Sequence, residues 1–77
     1  MDAEQIRTNL RRRRIAAGLT QYDIAHRCGM TTVQYSNREL GKTKMSVSEL
    51  IRFADILGCK FSSLLDQLIE LTHVRWD

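Results

Sequence analysis

The sequence contains no proline and only four glycines in 77 residues. No ring forces a helix to break, so helix ends must come from the glycines instead. Cysteine is scarce too: Cys28 and Cys59 are the only two. Neither belongs to a CxxC pair or a Cys/His ligand spacing, which removes the usual zinc patterns. Both read as reduced thiols of a cytoplasmic protein, with a disulfide or metal site as the alternative. His26 and His73 stand alone and read as surface residues. No apolar run approaches the roughly 18 residues of a membrane span, and no signal-peptide pattern opens the chain. There is no nucleophile–base constellation, no phosphate-cradling glycine loop and no metal-ligand cluster, so neither an enzyme nor a cofactor is expected.

What is present fits one small helical domain over residues 1–77, near the lower size limit for a self-sufficient core. The apolar fraction of 43% is enough for that core. A net charge of +3 conceals an asymmetry. Residues 1–44 carry nine Lys/Arg against four Asp/Glu, a net of +5, whereas residues 45–77 carry three against five, a net of −2. A basic half is the footprint expected of a nucleic-acid contact, although many proteins have a basic surface without one.

The chain is organised around residues 20–41, TQYDIAHRCGMTTVQYSNRELG. The stretch reads as two short helices joined by a tight turn at Cys28-Gly29-Met30. Ile24 and Ala25 face inward on the first helix and Tyr35 on the second. Thr20 stands three residues before Asp23, and Thr31 three before Gln34, so each helix opens with a capping box. Gly29 has no Cβ and can take the left-handed conformation that ends the first helix. The second helix presents Thr32, Val33, Gln34, Ser36 and Asn37, where a solvated helix would carry Lys and Glu. Directional donors and acceptors with small apolar groups suit the edges of bases and the methyl of thymine.

Around this centre, Asp2 can cap a first helix with Gln5 reciprocating, and Ile6 and Leu10 begin an apolar stripe that runs through Arg14 to Ala17. Gly18 ends it. Arg11 to Arg14 are consecutive, but helical residues lie about 100° apart, so the run is spread around the helix rather than forming one tail. Ser46 and Glu49 box a fourth helix whose apolar side is Val47, Leu50, Ile51, Phe53, Ala54 and Leu57, ended by Gly58. Phe61, Leu64, Leu65, Leu68 and Leu71 recur at spacings of three and four, which predicts a fifth helix within 61–77. The expected fold is all-α with five helices.

The combination of Gly18-Leu19-Thr20-Gln21, Ile24-Ala25, Gly29-Met30-Thr31, Tyr35-Ser36, Glu39-x-Gly41-Lys42, Leu50, Ala54 and Leu57-Gly58 resembles the lambda-repressor-like (Cro/cI, XRE-type) helix-turn-helix family of bacterial and phage DNA-binding proteins. The likeness runs from about Ile6 to Leu65. It implies a compact five-helix domain whose third helix enters the major groove while the second crosses the phosphate backbone. By that likeness, Thr32, Val33, Gln34, Ser36 and Asn37 read bases, and Gln21, Arg38, Lys42, Thr43 and Lys44 meet phosphates. The alternative is that Gln21 and Gln34 only complete their caps and the lysines only solubilise a loop; the order of readers and positioners favours the DNA role.

Relatives commonly pair an arginine at the place of Arg14 with a glutamate at the place of Glu39, so a salt bridge is expected here; the alternative is that Arg14 snorkels to water. Relatives usually carry an apolar residue where Arg38 stands and a polar one where Leu40 stands, and here the two look exchanged. Arg38 can lay its stem over the core and reach phosphate, while Leu40 can meet a partner subunit. No arginine lies among the base-facing positions, which leaves room for readout of groove shape.

The likeness further implies a homodimer on a palindromic double-stranded DNA operator. The apolar pattern of Leu68, Ile69, Leu71, Val74 and Trp76 offers an interface, although these residues can also fold back on their own domain. The function implied is transcriptional regulation, of the phage-repressor or restriction-modification-controller kind. The alternative is an antitoxin whose first partner is a toxin protein and whose DNA binding is autoregulatory; co-purification of a toxin would tell the two apart.

Overall fold

The computed structural model describes residues 3–65. Four α-helices and a closing 3-10 helix make up this part: α1 (Ala3–Ala16), α2 (Gln21–Arg27), α3 (Thr32–Leu40), α4 (Val47–Ile56) and the 3-10 helix Phe61–Leu65. Asp2 and the residues from 66 onward, including Leu68, Ile69, Leu71, His73, Val74 and Trp76, lie outside the described residues.

Three of the four α-helices start at a capping box. The hydroxyls of Thr20, Thr31 and Ser46 accept from the N–H groups of Asp23, Gln34 and Glu49, and each later side chain accepts in return from the capping residue's own N–H. These reciprocal bonds satisfy first-turn donors that have no partner within the helix. Gly29 sits at φ 73° in the turn between α2 and α3, a conformation in which a side chain would be strained.

The core is built from Leu10 of α1, Ile24, Ala25 and Cys28 at α2, Tyr35 of α3, Leu50, Phe53 and Ala54 of α4, and Leu64 of the 3-10 helix. Tyr35 and Phe53 meet edge to face, centroids 5.3 Å apart at 86°, a geometry worth about 0.5–1.5 kcal/mol beyond the area it buries. Side-chain hydrogen bonds to backbone carbonyls tie elements together. Asn9 Nδ2 donates to the Leu64 carbonyl at 2.8 Å, anchoring the 3-10 helix to α1. Arg52 Nη1 donates to the Cys28 carbonyl at 3.1 Å, holding α4 to the turn between α2 and α3.

Over its described residues the expected fifth helix is not an α-helix: Phe61–Leu65 is a 3-10 helix. A spacing of three fits both helix types, and Leu64 is buried in either. What is missing locally is a start signal. Lys60, the residue before the segment, has no short side-chain acceptor for first-turn N–H groups, and Ser62 and Ser63 are weak helix formers. The Ser63 N–H instead closes a tight turn on the Lys60 carbonyl at 2.9 Å.

Candidate nucleic-acid interface

α3 has two unlike sides. Tyr35 and Glu39, four residues apart, are buried. Val33 and Asn37, also four apart, fall on the opposite side by helical geometry. Val33 is 68% exposed, Thr32 and Gln34 are exposed, and Ser36 and Asn37 are half-buried. From Thr32 to Asn37 the helix carries no charge. Gln34 uses its Oε1 for the Thr31 cap, which leaves its NH2 as a donor. Leu40, 62% exposed, falls on the same outward arc as Val33 and Asn37.

The inward side is held by a polar cluster. Glu39 accepts from Arg14 Nε and Nη2 at 2.9 and 3.1 Å, from the Tyr35 hydroxyl at 2.6 Å, and from Gln21 Nε2 at 3.2 Å. Arg14 spends a further donor, Nη1, on the Leu19 carbonyl at 2.8 Å. One carboxylate thus joins α1, α2 and α3. Burial alone would push the Glu39 pKa up, but the bonds from Arg14, Tyr35 and Gln21 outweigh it and hold it below the ordinary value. Burial and the bond to Glu39 raise the Tyr35 phenol, which stays protonated and donates. The Arg14 guanidinium is raised, chiefly by its bond to Glu39.

Two of the five residues expected at phosphate, Gln21 and Arg38, have partners within the protein. Gln21 belongs to the Glu39 cluster. Arg38 is half-buried, with Nε on Glu49 Oε2 at 2.9 Å and Nη1 on the Gln34 carbonyl at 2.9 Å. Its stem and head therefore fasten α3 to α4, which accounts for a charged residue where an apolar one would pack. Glu49 serves twice, since its other oxygen completes the Ser46 cap.

Beyond α3 the chain turns through Gly41 at φ 84°. The N–H groups of Lys42 and Thr43 donate to the Asn37 carbonyl at 2.8 and 3.2 Å, so the loop is pinned against the last turn of the helix. Lys42, Thr43 and Lys44 are all exposed. The result is a neutral, hydrogen-bonding helix face with a fixed basic loop at one end.

A helix-turn-helix family model matches residues 10–64. The chain belongs to the XRE/lambda-repressor-like helix-turn-helix family. The match spans α1 from Leu10 to the 3-10 helix and includes every described residue of the interface. No curated protein and no solved structure matches the chain. The helix-turn-helix family is one of DNA-binding regulators, generally without catalytic activity. In such motifs generally the second helix of the pair is the one that enters the major groove; α3 is the second helix of this pair.

Two contributors escaped the sequence reading. Asn9 of α1, which no motif or periodicity singles out, carries the bond to Leu64. Arg7 lies with its guanidinium against Gly41: a Cβ on that glycine would stand 2.7 Å from Arg7 Cζ. Its place one turn before Leu10, on the side of the helix that carries Arg14, was the available signal. Elsewhere, burial raises the Cys28 thiol and keeps it in its unreactive form. Among the described residues no helix is long and apolar enough to cross a membrane.

Proposed function

We propose that this chain is a sequence-specific, double-stranded-DNA-binding transcriptional regulator. α3 lies in the major groove, with Thr32, Val33, Gln34, Ser36 and Asn37 toward the bases. Asn37 bonds adenine, Thr32 and Ser36 donate or accept, Val33 packs on a thymine methyl, and the Gln34 NH2 reaches base or backbone. Lys42, Thr43 and Lys44 hold the adjoining sugar-phosphate strand. Gln21 and Arg38 act mainly by fixing α2 and α4 against α3, with phosphate contact secondary. The observation that carries this reading is the outward side of α3. It is uncharged from Thr32 to Asn37, has Val33 open to solvent, and is bordered by two exposed lysines.

One such module contacts few base pairs, so the working unit is a homodimer with its α3 helices about 34 Å apart on a palindromic operator. Support for pairing through Leu68, Ile69, Leu71, Val74 and Trp76 is the apolar sequence pattern. Ile69→Ala or Trp76→Ala is expected to lower the mass in solution, and an unchanged mass removes this interface.

The deciding experiment is selection of duplexes from a random pool, followed by affinity for the winner across a salt series. About six phosphate contacts per dimer give a log–log slope near −5. A purified protein that retains no duplex at low ionic strength overturns the proposal.

A further inference from the structure

We propose that Arg7 of α1, together with Lys44, forms a seat for one phosphate diester of the bound DNA. The seat rests on the DNA-binding reading and extends the interface to a helix outside the helix-turn-helix pair. A groove of about 230 Å³ opens between the start of α1 and the loop after α3. Arg7, Arg38 and Lys44 line it together with the apolar Ile6, Met45 and Leu50. No carboxylate lies among its described lining residues.

The three cations are not equivalent. Arg38 is compensated by Glu49 at 2.9 Å. Arg7 and Lys44 have no ion pair among the described residues, so two uncompensated basic residues line one largely apolar recess. Low-dielectric walls strengthen the field there, and an anion between the two cations relieves their mutual repulsion.

The guanidinium of Arg7 is also packed. It rests on Gly41 so closely that any side chain at that position would have to displace it. The planar fork of an arginine matches two phosphate oxygens, which the point charge of a lysine does not. The groove borders Gly41, Thr43 and Lys44, the loop pinned to the Asn37 carbonyl. An anion seated there stands beside the recognition helix, where the backbone of a major groove would run. This favours a phosphate of the same duplex over a free small anion.

The test uses the full chain and the duplex selected from a random pool. Arg7→Gln is compared with Arg12→Gln, the same loss of charge at an exposed position of α1. Arg7→Gln is expected to reduce the magnitude of the salt slope by about one per protomer, and Arg12→Gln to leave it unchanged. Methylphosphonate is then placed at each phosphate in turn. One position should weaken wild-type binding on the order of tenfold and weaken Arg7→Gln much less.

Arg7→Lys, which keeps the charge and loses the fork, carries the same scan should Arg7→Gln fail to fold. At the critical phosphate its loss is expected to fall below that of wild type. Equal slopes for the two glutamine variants, or a methylphosphonate profile unchanged by either Arg7 variant, overturns the seat and leaves the proposed function standing. A wild-type protein that binds no duplex overturns both.

Discussion

Arg14 and Glu39, 25 residues apart in sequence, face each other through two parallel hydrogen bonds, and both side chains are at least nine-tenths buried. Removing the carboxylate strands a guanidinium in the interior, where unpaired charges cost about 3–5 kcal/mol. Glu39→Ala is therefore expected to unfold at much lower urea than wild type, close to total loss for a domain this small. Replacing both partners by methionine should cost less than Glu39→Ala alone, because no charge is left behind. Urea denaturation followed by circular dichroism measures both, and an unchanged midpoint for Glu39→Ala contradicts the account.

The same carboxylate sets an acid limit. Its folded pKa lies below the ordinary 4.5, so its contribution is complete above that value and is lost as pH falls through it toward the folded pKa. Asp23 is drawn down by the Thr20 backbone N–H and hydroxyl and acts in the same direction. Melting temperature should hold at neutral pH and fall from about pH 5 downward. In Glu39→Gln that fall should be shallower, starting from a lower plateau. Equal slopes for the two proteins would remove Glu39 as the titrating group.

Readers and positioners should separate in binding. Asn37→Ala should weaken binding to the selected duplex by about 1–3 kcal/mol and relax preference at one base pair, with the salt slope unchanged. Lys44→Ala and Lys42→Ala should weaken every duplex alike and reduce the slope by about one each per protomer. Competition assays at two salt concentrations distinguish the patterns. A lysine variant that alters base preference, or an Asn37 variant that alters the slope, breaks the assignment.

Gly29 and Gly41 share a left-handed backbone but differ in their surroundings. A Cβ on Gly29 meets nothing within 4 Å, whereas one on Gly41 meets the Arg7 guanidinium. That guanidinium is the far end of a flexible chain and can swing aside. Both alanine variants should therefore lose about 1–2 kcal/mol, the strain of the conformation itself. A much larger loss for Gly41→Ala in chemical denaturation would show that Arg7 cannot move.

Local chemistry made most of this fold legible in the sequence. Thr20 with Asp23, Thr31 with Gln34 and Ser46 with Glu49 are signals complete within four residues, and each marks a helix start in the structure. The helix type at Phe61–Leu65 is not legible in the sequence, because Phe61, Leu64 and Leu65 satisfy a 3-10 helix as well as an α-helix and spacing alone does not choose between them. Arg7 against Gly41 and Arg38 on Glu49 are tertiary contacts with no local signature. An arginine in an apolar position announces only that a partner exists, and its identity comes from the way helices cross.

The helices of the helix-turn-helix pair and the one that backs them are brief: seven residues in α2, nine in α3 and ten in α4. Segments under about 12–15 residues barely persist in water by themselves. A synthetic peptide of residues 31–41 should thus be a random coil and indifferent to DNA. The stiffness of α3 is borrowed from the rest of the molecule, with the Glu39 carboxylate as the one group that joins three helices at once, so damage to that junction should weaken DNA binding without touching any outward residue of α3.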